Sequence, residues 1–216
     1  LPTAIQKKWK ELAAQANRMT AADSNEAHSS LIKNVGDMIV YIGDQSNLIL
    51  DPDLDSYYVM SITLIDLPTH QVRLGKILSH AIDILSRKTL NGEQRRELDI
   101  NAAMLKQVDR DNVTAHAELA LAEDQKFFGL SPSLQSKMPT PVKEFAKANE
   151  QLAAILEKIA GAGTLELDPK DLLKAGAQAQ LASFQLWDTS VDELDTLLAT
   201  RITAFKADRQ NAILLT

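Results

Sequence analysis

Apolar residues recur at steps of three and four along almost the whole chain, and alternation of the kind a half-buried strand needs is nowhere sustained. The first segment, from Pro2 to about Met19, carries Ile5, Trp9, Leu12, Ala13 and Ala16 on one helical face, with Pro2 where a first turn tolerates it. Asp23 and Ser24 are candidate caps for a second helix with Leu31, Val35, Met38, Ile39, Ile42 and Ile49 along one stripe. Pro52 disfavours helical geometry at Asp51 and breaks that stripe.

A third helix is predicted from about Leu54, where Tyr57, Met60, Ser61 and Leu64 share a face. Pro68 should kink it after Leu67, Ile77, Leu78, Ala81, Ile82 and Leu85 resume the stripe, and Asn91-Gly92 should end it. A fourth helix fits Glu93 to Ala122, with Ile100, Met104, Val108, Ala115 and Leu119 repeating. Its many charges predict a largely exposed element.

The stretch 125–141, with Phe127-Phe128-Gly129, Pro132, Pro139 and Pro141, is the least helical part and the expected break between sub-bundles. A fifth helix carries Val142, Phe145, Ala148, Leu152, Ile155, Leu156 and Ile159, and ends at Gly161-Ala162-Gly163. Asp168-Pro169 opens the last and longest helix, in which Phe184, Trp187, Val191, Leu194, Leu198, Ile202 and Phe205 form a heptad-like seam.

The fold class expected is therefore all-α: an elongated up-down bundle of about six helices, either one bundle or two stacked four-helix sub-bundles sharing long helices. Several helices near 30 residues would be about 45 Å long. The chain reads as a single domain over 1–216, and an even number of antiparallel helices would bring its two ends side by side.

Composition narrows the function classes. The net charge of −6 disfavours nucleic acid as a partner, because phosphate backbones are repelled. The absence of cysteine excludes disulfides and thiol chemistry. No run approaches the roughly 20 apolar residues of a membrane helix. The chain starts at Leu1 and reads as a fragment of a longer protein.

Candidate chemistry concentrates where the second stripe breaks. Asp51, Asp53 and Asp55 resemble the first half of a calcium loop, but the sixth position is Ser56 rather than Gly and the twelfth is Ile62 rather than Glu. They suit either helix capping or ligand recognition. Tyr57 and Tyr58 each offer an apolar face and a hydroxyl, Asn47 an amide, and Arg73 the nearest guanidinium downstream for an anionic ligand such as an organic acid. Arg73 also fits a solvated surface position.

The histidines His28, His70, His80 and His116 are never three or four residues apart, so no helix presents a paired metal site, and each reads as a surface or partly packed residue. No nucleophile elbow, phosphate-binding loop or dinucleotide fingerprint is present, and neither catalysis nor a cofactor is expected.

The run from Ser46 to Met60, Ser-Asn-Leu-Ile-Leu-Asp-Pro-Asp-Leu-Asp-Ser-Tyr-Tyr-Val-Met, followed by Leu67-Pro68, resembles a segment of the helical periplasmic sensor domains of bacterial histidine kinases and chemoreceptors. A second stretch, Leu186-Trp187-Asp188 through Leu194, Leu197, Arg201 and Ile202, resembles the last sensor helix leading to a membrane segment. The resemblance implies a ligand-sensing, dimer-forming periplasmic domain flanked by two transmembrane helices, with a histidine kinase as output. A chemoreceptor, or a soluble helical scaffold or adaptor, is the alternative.

Overall fold

The computed structural model describes residues 2–214, and among them every regular element is helical. Two units of the chain, Leu1–Leu50 and Asp51–Thr216, each make most of their contacts internally. The expected break at 125–141 instead falls inside the second unit. Leu1 and Thr216, the ends that an even helix number would bring together, lie outside the described residues.

The first unit is a helical hairpin. Helix α1 spans Pro2–Gln15 and α2 spans Ala21–Gln45. The cap of α2 is Thr20, not Asp23 or Ser24: its hydroxyl oxygen accepts the Asp23 N–H at 3.1 Å. Lys8 Nζ donates to Asn34 Oδ1 at 3.2 Å across the hairpin. Leu12 is its one buried apolar side chain among the described residues, and Ile32, Val40 and Ile42 of α2 stay exposed. Asn47, between α2 and a final 3-10 turn at Leu48–Leu50, lies in the left-handed region at φ 56°, which suits an asparagine.

The second unit is a four-helix bundle. Helix α3 covers 54–87 through Leu54–Ser61, a wider π turn at Ile62–Asp66, and Leu67–Arg87. Helix α4 covers 92–123 and has its own π segment at Met104–Arg110. The short α5 is Pro132–Lys137, α6 is Pro139–Gly161 and α7 is Pro169–Leu214. Around the bundle α3 packs on α4, α4 on α6, α6 on α7, and α7 back on α3.

Its ends are held by local chemistry. Lys88, left-handed at φ 53°, ends α3. Asn91 does not terminate that helix but opens α4 with a capping box, accepting Gln94 N–H at 2.9 Å while Gln94 Oε1 accepts Asn91 N–H at 3.0 Å. Arg95 Nη1 donates to the Ala160 carbonyl at 2.5 Å and so satisfies an end group of α6. The Leu78 side chain of α3 packs over Gly176 of α7, in the space a Cβ would take.

The largest core cluster fills one half of this bundle. Leu74, Ile77 and Ile84 of α3 meet Leu98 and Leu105 of α4, Leu152 and Leu156 of α6, and Leu172 and Ala179 of α7. Burying each large side chain stabilises the fold by roughly 1.5–3 kcal/mol. The α6 stripe is as expected, with Phe145, Leu152, Leu156 and Ile159 all buried. That of α4 is not: Ile100 is 61% exposed, and the inward row is Leu98, Ala102, Leu105, Asp109, Val113, Ala117 and Ala120. The 125–141 stretch is tied down, with Asp124 Oδ2 accepting from Ser131 N–H and Gln135 Nε2, each at 2.9 Å.

Candidate functional site

Beside Pro68, where a kink was expected, α3 widens into a π turn. The Leu67 N–H bonds to the Ile62 carbonyl, five residues back. The next residue is Pro68, which has no N–H, so neither offers a donor to the Thr63 carbonyl. Trp187 of α7 fills that gap: its indole Nε1–H donates to Thr63 O at 2.9 Å. The last helix is thereby pinned to the π turn of the first helix in the bundle.

The turn also places polar groups at the middle of the bundle. Asp66 Oδ2 lies 2.6 Å from His116 Nδ1 on α4. Burial pushes the Asp66 carboxyl above its usual range, and His116 partly offsets this. One turn further along α3, His70 is fully buried, with Nδ1 3.3 Å from Asp109 Oδ2 and its ring edge-on to Phe145 at 4.9 Å. Arg73 Nη1 is 3.2 Å from Asp109 Oδ1, an ion pair without hydrogen-bond alignment, so that donor still lacks an acceptor.

Between these residues is a half-open cavity of about 180 Å³. Asp66, Thr69 and Arg73 line it from α3, and Asp109 and Asn112 from α4. Both helices are in, or have just left, a π segment at this level, and such segments are frequent at functional sites. Among the described residues no group of three His, Asp or Glu side chains could hold a metal ion.

A second polar cluster sits at the start of α3. Arg201 of α7 puts Nη2 2.7 Å from Asp51 Oδ1 and Nε 2.6 Å from Asp53 Oδ2, and Nη2 also donates to Ser56 Oγ. The Asp51 side chain is 1% exposed. Asp51 and Asp53, read as suiting either capping or ligand recognition, therefore face a guanidinium, and Asp53 makes no side-chain cap. Asp51 does accept the Asp53 N–H at 3.1 Å, which shapes the turn. Buried Asp55 accepts the Ser56 N–H at 2.6 Å.

The residues expected to form one ligand site are thus distributed. Asp51 and Asp53 meet at Arg201. Tyr57 and Tyr58 are half-buried, their rings edge-on at 5.4 Å, and Tyr58 lies 5.5 Å from the His116 ring. Arg73 lines the cavity, paired with Asp109 rather than solvated. Asn47 is exposed and belongs to the first unit.

Asp66, His70, Asp109, His116 and Trp187 were not singled out as site residues by sequence. The signal for two of them was a polar residue in a core-facing row: His70 in Leu67, His70, Leu74, Ile77, and Asp109 in the α4 row. No family, curated protein or solved structure matches the chain. The fold defines the class: an all-α helical bundle protein, and no described helix is long and apolar enough to cross a membrane.

Proposed function

We propose that the chain is the periplasmic sensor domain of a bacterial transmembrane receptor, in the first instance a histidine kinase, that binds a small molecule and passes a helix displacement to its output module. The observation that carries this reading is the polar cavity at mid-bundle, bordered by the π turn that Trp187 of α7 grips. A ligand that favours one register of that turn shifts the populations of two packings by its difference in affinity for them. The displacement delivered through α7 is on the order of 1–2 Å. Arg201, joining the two segments that resemble sensor domains, keeps α7 and the start of α3 moving together.

The domain works as a homodimer between two membrane helices of the parent receptor, and carries no catalytic centre of its own. The output being a chemotaxis module is the nearest alternative. A scaffold or adaptor is the reading from another class, favoured by the apolar face of α7, where Phe184, Ile202 and Phe205 are 44%, 52% and 59% exposed. A thermal-shift screen of the chain against amines, amino acids, organic acids and aromatic acids tests the proposal. Saturable stabilisation by one chemical class supports a sensor, because a ligand of the folded state raises its apparent stability. No stabilisation by any of them, with α7 instead capturing a protein partner, supports the adaptor.

A further inference from the structure

The cavity at mid-bundle has a charge count that selects its ligand. Asp66 and Asp109 supply two carboxylates to the lining and Arg73 its one guanidinium, so acidic side chains outnumber basic ones there. Asp109 is already engaged, Oδ2 with His70 and Oδ1 beside Arg73. On Asp66 only Oδ2 is engaged among the described side chains, by His116 at 2.6 Å. We propose that this cavity binds the primary ammonium group of a small molecule, with Asp66 as its counter-ion. The inference rests on the sensor reading given above and names the ligand chemistry of that site.

An ammonium carries three N–H donors, and the lining residues Asp66, Thr69 and Asn112 each carry an oxygen able to accept one. A quaternary ammonium has no N–H and is recognised on aromatic faces, of which the lining has none. An organic acid would face two carboxylates with a single guanidinium that one of them already holds.

Ile65 and Val108 form the apolar wall for a short carbon chain. The volume, about 180 Å³, is close to the roughly 150 Å³ cavity that accommodates a six-carbon ring. The Arg73 guanidinium, whose side chain is 25% exposed, is the donor for an oxygen on the same molecule. Amino alcohols and small α-amino acids both have this pairing of ammonium and oxygen.

The test is calorimetric titration of the whole chain with ethylammonium, ethanolamine and L-alanine, against glycine betaine and succinate. The expected result is saturable one-site binding of at least one primary amine, weakened at least tenfold by Asp66→Asn and unchanged by Lys7→Gln, far along the chain. Tighter binding of ethanolamine or of L-alanine then identifies the source of the ammonium, and a loss in Arg73→Gln for these two but not for ethylammonium places their oxygen. If Asp66→Asn does not fold, the exposed Thr69→Val and Asn112→Leu variants carry the same comparison.

No amine binding up to about 10 mM, or binding indifferent to these substitutions, overturns the proposal. Tight binding of succinate or betaine that Arg73→Gln abolishes also overturns it. A receptor hybrid that responds to one of those other molecules would leave the sensor reading standing, whereas a hybrid silent to an amine that saturates the domain would remove the sensor reading and leave the ammonium site standing.

Discussion

Arg201 Nη2 lies 2.7 Å from Asp51 Oδ1 although 150 positions separate them in the chain. The contact ties the turn before α3 to the seventh helix and leaves the Asp51 carboxylate almost without solvent, 1% exposed. Removing the guanidinium would strand a buried charge. Arg201→Ala is expected to cost about 3 kcal/mol or more in urea unfolding, and Asp51→Asn in the Arg201→Ala background should recover part of it. Equal stability of Arg201→Ala and the parent chain would mean that the pair holds nothing together.

Asp55 should make the fold less stable as pH rises. Burial, then the nearby Asp53 and Asp124 carboxylates, push its pKa above the ordinary 3.8, with the Ser56 N–H pulling the other way. The folded state therefore binds more protons than the unfolded one between 3.8 and the raised value, and a contribution present below 3.8 is lost as pH climbs through that window. Asp55→Asn, which keeps an oxygen for Ser56, should match the parent in acid and exceed it at neutral pH. Unfolding free energies measured across this range check the slope; a difference that does not change with pH contradicts it.

Trp187 supplies a hydrogen bond that the backbone of α3 cannot make for itself. Trp187→Phe keeps most of the apolar surface but leaves the Thr63 carbonyl without a donor, which should cost about 1–2 kcal/mol. Amide exchange should quicken around 62–66 more than in the Leu152–Leu156 layer of the core. Uniform quickening, or none, would show that the indole does not hold the π turn.

The all-α character and the positions of the long helices were legible because the three- and four-residue steps persist over many turns. The α6 row, made of large residues such as Phe145, Leu152 and Leu156, was read in the right register. In α4 the inward row includes Ala102, Asp109, Ala117 and Ala120, so choosing the bulkiest residues rotated the helix and put Ile100 inside. In α7 the same habit selected Phe184, Ile202 and Phe205, which are exposed, alongside Leu194, which is buried.

The candidate site was less legible, for a physical reason. Asp51 and Asp53 look like caps because short acids before a helix usually are, and nothing local reveals a guanidinium at position 201. Arg73 was identified as a ligand-binding candidate, but the Asp109 that pairs with it is 36 positions away on another helix. The π turn at Ile62–Asp66 could be suspected only from Pro68, and its stabilising partner Trp187 lies 124 positions beyond Thr63.

In the proposed sensor, occupancy of the mid-bundle cavity moves α7. The most direct measurement places residues 1–216 between the membrane helices of a transmembrane kinase and follows its output while a molecule that stabilises the isolated chain is titrated. A saturable change in kinase output is expected at the concentrations that saturate the domain, abolished in Trp187→Phe with binding retained. Kinase output that stays constant while the same molecule fills the domain contradicts it.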